Sequence, residues 1–246
     1  MRRWREWRRS EIRALVALWV TLTICLWPLP ARSQTSGLLT VIIDPGHGGQ
    51  DLGASGSSGA PAEKDLALTF ARKLAEVMEV LRIARPILTR KDDYAISLDE
   101  RAGVANHRGG DLLISLHMGN AFRPSPLGFT LYYWSPASSQ PAVPAMTAEA
   151  STSWDLGQLH YWERSRRVAE VINVQLLQAL PWLSGGVLPA DLHLLRRVQM
   201  PAVLLELGCL IYPPESTELQ KSEFQEAVAK AVAEAIREWS TVNSEQ

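Results

Sequence analysis

The chain has 246 residues, 46% of them hydrophobic, and a formal net charge of −1, which suits one medium-sized domain with a substantial core. Seven of the 25 basic residues but only two of the 26 acidic ones fall within residues 1–33, leaving 18 against 24 downstream, a net of −6. An acidic domain without a basic stripe argues against nucleic acid as the partner.

Residues 1–33 read as an export leader. "MRRWREWRRSEIR" is basic, "ALVALWVTLTICLWPLP" is apolar, and "ARS" places small residues where a signal peptidase reads. Cleavage is expected after Ser33, so that Gln34 begins the mature domain, residues 34–246. A retained anchor is the rival reading, but the apolar run is short for a spanning helix and ends in prolines. After cleavage no membrane contact is expected. Arg8–Arg9 hints at twin-arginine export, without the apolar residues that should follow at once. Cys25 lies in the leader, behind an isoleucine that is wrong for lipid attachment. Cys209 is then alone, so no internal disulfide forms, and its apolar surroundings predict a buried, inert thiol.

Along the chain, "LTVII" (39–43) reads as a buried strand. Leu66, Phe70, Leu74, Val77, Met78 and Leu81 recur at helical spacing over residues 64–81. "RPILTR" (85–90) is a second strand. "SLDERAGVANHRG" (97–109) is a short helix, with Ser97 and Glu100 forming a capping box and Gly109 ending it. "DLLISLH" (111–117), "GFTLYYW" (128–134) and "PAVLLELGCL" (201–210) complete the strands, and helices are expected over 161–180 and 222–239. Strand–helix alternation with continuously apolar strands predicts an α/β fold: one domain, a mixed, largely parallel sheet, helices on both faces.

Sites in such sheets lie at the carboxyl ends of strands. His47 follows the first strand in "DPGHGG", His117 ends the third, and Glu206 interrupts the last. Glu63 directly precedes the first helix and can point back over the strand ends. Two imidazoles and a carboxylate with an open position are the ligand set of a catalytic zinc site. A carboxylate inside "AVLLELGCL" is costly to bury unless paired or functional, and beside a metal it becomes a general base. The residues alone leave this open. His47 could brace the turn through a carbonyl, Glu63 could serve the helix dipole, and Glu206 could pair with a buried arginine. Asp44 is a candidate partner for a ligand histidine or a turn stabiliser. His107 reads as a solvated helix end, His160 has no visible partner, and His193 faces the groove or solvent. "LYYW" (131–134) reads as strand packing.

The segment at 135–160 is rich in Ser, Ala and Pro, and loops of this length are functional covers or disordered.

Taken in order, "VIIDPGHGGQDLGA", "EKDLALTFARKLAE", "ILTRKDD", "SLDERAGVANHRGGDLLISLH", "LPADLHLLRRVQMPAVLLELGCL" and "FQEAVAKAVAEAI" resemble the zinc-dependent N-acetylmuramoyl-L-alanine amidases, the type-3 amidase catalytic domain, over residues 39–239. The resemblance implies that His47, Glu63 and His117 bind Zn2+ and that Glu206 is the catalytic carboxylate. It implies hydrolysis of the amide joining N-acetylmuramic acid to L-alanine in peptidoglycan, in the periplasm or cell envelope. It further suggests that residues 135–160 form a lid, with Glu149, Asp155 and Glu163 as capping carboxylates and a protein activator as partner. Two departures stand out. "HMGNA" holds one residue more than the family's alanine–asparagine pair, which shifts Asn120, and "LELGCLIYPPE" replaces a polar turn with Ile211, Tyr212 and two prolines. The alternatives are a catalytically silent wall-binding or regulatory module and a zinc peptidase cutting within the stem peptide.

Overall fold

The computed structural model describes residues 37–55, 60–119, 128–138 and 157–243. The strands are β1 (Leu39–Pro45), β2 (Ala84–Leu88), β3 (Leu112–His117), β4 (Phe129–Tyr133), β5 (Val187–Pro189) and β6 (Ala202–Leu207). The helices are α1 (Glu63–Val80), α2 (Leu98–His107), α3 (Trp162–Ala179), α4 (His193–Arg197), α5 (Pro213–Leu219) and α6 (Ser222–Asn243). Residues from Leu38 onward form one unit. Among the described residues no helix is long and apolar enough to cross a membrane.

The six strands form one sheet in the order β2-β1-β3-β6-β4-β5. β2, β1, β3 and β6 run parallel, β4 is antiparallel to β6, and β5 is parallel to β4. The expected mixed, largely parallel sheet is therefore present. Because side chains alternate across a strand, each central strand serves two cores. Val41, Ile43, Leu112, Ile114, Leu116, Val203 and Leu205 pack beneath α1, α3 and α6. Ile42, Leu113 and Ala202 face the other way, against Ala102 and Ala105 of α2 and Leu194 and Leu195 of α4. Strands covered on both faces must be apolar throughout, which is the pattern the sequence carries.

The capping box of α2 is complete: Ser97 Oγ accepts from the Glu100 N–H, and the Ser97 N–H donates to the Glu100 carboxylate. Among the described residues four elements were not anticipated, β5, α4, α5 and a 3-10 turn at Gly157–His160, each too short to show a period. α5 begins at the prolines of the "IYPPE" departure, where proline fits a first helical turn. β6 ends at Leu207 rather than Leu210, because Gly208 takes a φ of +69° and turns the chain. Cys209 is half-buried, not buried as expected.

Candidate metal centre

The site is built at the carboxyl edge of β1 and β3. β1 ends at Pro45, and the Gly46 N–H makes the last rung of its parallel ladder with β3, donating to the Leu116 carbonyl. His47 has a φ of +58°, a left-handed conformation that a side chain rarely takes. Two buried arginines hold the turn. Arg101 of α2 donates to the carbonyls of Pro45 and His47, both at 2.6 Å, and to Asp44 Oδ1 at 2.8 Å. Arg90, after β2, donates to the carbonyls of Pro45 and Gly46.

α1 starts against the same loop. The first helical N–H groups, of Glu63 and Lys64, donate to the carbonyls of Ala54 and Leu52, so Glu63 is the first residue of the helix rather than the one before it. Glu63 is 2% exposed, and its carboxylate accepts from the Ala54 N–H through Oε2 and from the Met118 N–H through Oε1. Oε1 also lies 3.1 Å from His47 Nε2 and 3.1 Å from His117 Nδ1. The two imidazoles meet edge to face, with ring centroids 5.0 Å apart.

His47, Glu63 and His117 thus converge, with one ligand atom from each lying within 4.8 Å of the others. Two imidazole nitrogens and a carboxylate oxygen are a donor set that divalent transition metals take. The space around them is cut for it. A Cβ on Gly46 would lie 2.4 Å from the His117 ring, and one on Gly53 would lie 2.6 Å from the His47 ring and 2.7 Å from Glu63 Oε2. The residues therefore fit a bound metal ion.

Electrostatics point the same way. Burial opposes charge on Glu63, but hydrogen bonds from His117, His47 and two backbone N–H groups outweigh it and hold the carboxyl far below the ordinary carboxylate range. Burial also opposes charge on His47, yet Glu63 and Asp51 raise its pKa above the ordinary 6.5. A pocket that draws protons onto an imidazole in this way will draw a cation.

The partner of His47 is Asp51, not Asp44. Asp51 Oδ2 lies 2.9 Å from His47 Nδ1. Asp44 points to the α2 face of the sheet, where it takes hydrogen bonds from Thr89, Ser115 and Arg101. It braces β1, β3 and α2 together, and one of its partners, Arg101, reaches the His47 carbonyl. Asp51 was legible as a carboxylate four residues after His47, but only the turn brings it to the ring.

Glu206 pairs in register with His117 across the parallel β3–β6 ladder and with Thr130 across the antiparallel β4–β6 ladder. Registered neighbours present their side chains to the same face, so Glu206 and His117 share one side of the sheet edge. Glu206 is half-buried.

The remaining expectations resolve as follows. His107 and His160 are exposed. His193 Nε2 lies 2.9 Å from Asp99 Oδ1, joining α4 to α2. Tyr133 and Trp134 are packed in the interior, as strand packing requires. Asn120, Glu149 and Asp155 lie outside the described residues. Glu163 sits in the first turn of α3, 3.9 Å from Arg167. The described flanks of the 135–160 segment, Ser135–Ser138 and Gly157–His160, lie at the amino edge of the parallel strands: β4 runs down from Leu207 to that edge, and Gln158 donates to the carbonyls of Val198 and Met200, just ahead of β6. That is the edge opposite His47 and His117.

Residues 41–238 match the family described as N-acetylmuramoyl-L-alanine amidase. The chain belongs to that family. YqiI of Bacillus subtilis (strain 168) is 30% identical over 224 residues, covering 89% of this chain and 96% of the relative. The sporulation-specific N-acetylmuramoyl-L-alanine amidase of the same organism is 27% identical, covering 82% of this chain and 68% of its own. Among solved structures, the catalytic domain of the amidase CwlV from Bacillus (Paenibacillus) polymyxa var. colistinus superposes with a TM-score of 0.66 at 28% identity, over 83% of this chain and 99% of that one. An N-acetylmuramoyl-L-alanine amidase from Clostridium difficile 630 gives 0.67 at 27%, over 85% and 100%. As an amidase of this family the chain is a cell-wall hydrolase.

Proposed function

We propose that this amidase cuts the bond between the lactyl group of N-acetylmuramic acid and the first L-alanine of the peptidoglycan stem peptide. In this reading His47, Glu63 and His117 hold Zn2+ and Glu206 is the general base. The observation that carries it is the convergence of His47, Glu63 and His117, on three separate elements, into one ligand cluster.

When bound, Zn2+ supplies a Lewis acid that polarises the amide carbonyl and makes water acidic enough to attack near neutral pH. Asp51 holds His47 by Nδ1, which turns Nε2 inward as the ligating nitrogen. The backbone N–H groups of Ala54 and Met118 keep Glu63 ionised and fixed. Glu206, on the His117 side of the sheet edge, takes the proton from the attacking water. As the carbon–nitrogen bond breaks, it returns that proton to the leaving amine of L-alanine. The products are a muramic acid carboxylate and a free stem peptide.

The same reading makes residues 1–33 a cleaved leader and residues 34–246 the exported catalytic domain, acting on peptidoglycan in the periplasm or cell envelope. The basic and apolar halves of that leader support it. The test is digestion of purified peptidoglycan by the chain from Gln34, with and without a zinc chelator, followed by mass spectrometry of the soluble products. Free peptides beginning with L-alanine, lost on chelation, are expected. Fragments cut within the stem would instead mean a zinc peptidase, and no product would mean a binding module.

A further inference from the structure

Arg90 is fully buried, and its hydrogen bonds go to backbone carbonyls. Nε donates to Pro45 at 3.1 Å, and Nη2 donates to Gly46 at 2.7 Å and to Lys64 at 2.8 Å. Gly46 immediately precedes His47, and Lys64 immediately follows Glu63. One planar guanidinium therefore ties together the two segments that carry those ligands, each at the residue next to the ligand. Arg90 also packs directly under the turn, since a Cβ on Gly48 would lie 3.1 Å from its Nε.

Placing this cation here is unfavourable in itself. Burial and the charge of neighbouring Arg101 both work against it and lower its pKa. A residue needed only to fill space would be apolar. A guanidinium offers five donors in a fixed plane, which a flexible ammonium cannot reproduce. Here that plane meets carbonyls from two chain segments distant in sequence.

We infer that Arg90 is a positioning residue for the metal ligands, presetting the spacing of His47 and Glu63 by bridging the Gly46 and Lys64 carbonyls. The inference rests on the metal reading given above. Arg90 is not one of the three converging residues and acts through the backbone beside two of them.

The test compares Arg90→Lys with the wild-type chain for Zn2+ affinity, by competition with a chromogenic chelator, and for the visible absorption bands of the Co2+-loaded protein, which report ligand geometry. A core variant remote from the site, Ile172→Val, serves as the control for general loosening. Arg90→Lys is expected to weaken Zn2+ binding by about 10–100-fold and to alter the Co2+ bands, while Ile172→Val leaves both unchanged. Should the lysine variant not fold, Arg90→Gln keeps one donor for the Pro45 carbonyl, where Nε now bonds, without the buried charge or the bridge between Gly46 and Lys64, and the same shifts are expected. A folded Arg90 variant with wild-type affinity and bands overturns the positioning role alone. A wild-type chain that takes up neither ion overturns the metal reading and this role with it, before any variant is compared.

Discussion

Asp51 Oδ2 sits 2.9 Å from His47 Nδ1, four residues further along the same turn. The contact chooses which imidazole nitrogen faces Glu63, and that nitrogen is Nε2, 3.1 Å from Oε1. Asp51→Asn removes the charge while keeping the size of the side chain. It should weaken metal binding by about 10–100-fold with little change in the melting temperature of the metal-free protein, because the aspartate is exposed. Chelator competition measures the first and calorimetry the second. Equal metal affinity in the two proteins would show that the charge of Asp51 is not needed, since an asparagine oxygen still accepts from Nδ1–H.

Glu206 and His117 face each other across the β3–β6 ladder. Glu206→Gln should lower kcat by about 10²–10⁴-fold while Zn2+ affinity stays within error of wild type, since the glutamate is not one of the three converging candidate ligands. Loss of metal binding in this variant would reassign Glu206 as a ligand.

The metal-free protein should have a distinctive pH profile. Glu63 has its pKa depressed below the ordinary 4.5 in the fold, so its stabilising contribution is present above pH 4.5 and is lost as pH falls towards the folded value. His47 has its pKa raised above 6.5, so its contribution is complete below pH 6.5 and is lost as pH rises through the folded value. Both are present between pH 4.5 and 6.5. Chelator-treated protein should therefore melt highest in that window. Metal uptake runs the other way for His47, because a proton must leave before it can ligate: affinity should fall as pH drops, beginning above pH 6.5. Calorimetry of the chelated protein across pH, beside a zinc titration, tests both. A melting maximum above pH 8 would contradict the coupling of His47 to Glu63 and Asp51.

Gly53 has a φ of +66° and no room for a side chain between His47 and Glu63. Gly53→Ala should cost about 1–3 kcal/mol of stability and also displace His47 and Glu63, so metal affinity falls further than that loss alone explains. Gly103→Ala is the comparison: a Cβ there meets nothing within 4 Å, and it lies within α2, where alanine is the better helix former. Thermal melts and chelator competition on both variants separate the two effects. Unchanged metal affinity in Gly53→Ala would mean that the loop relaxes without moving the site.

The sequence by itself determined the parts that depend on neighbours along the chain. Continuous apolar runs at 39–43 and 111–117 meant strands covered on both faces. Ser97 and Glu100 closed a helix terminus. The ordered motifs marked His47, Glu63, His117 and Glu206 through their likeness to the amidases. Only the tertiary structure decided which polar groups meet. Asp44 and Asp51 are both carboxylates near His47 in sequence, but strand alternation turns Asp44 onto the α2 face to meet Arg101 and Ser115, and the left-handed turn at His47 brings Asp51 to the ring. Arg90 and Arg101 look like ordinary charged residues in "LTRKDD" and "LDERAG", and their burial under the turn follows from the packing of β2 and α2 against β1. β5, α4 and α5 span fewer residues than a periodic pattern needs, so it is their packing that defines them. A local pattern records which face of an element is apolar, whereas the partners of a buried polar group are set by elements distant in the chain.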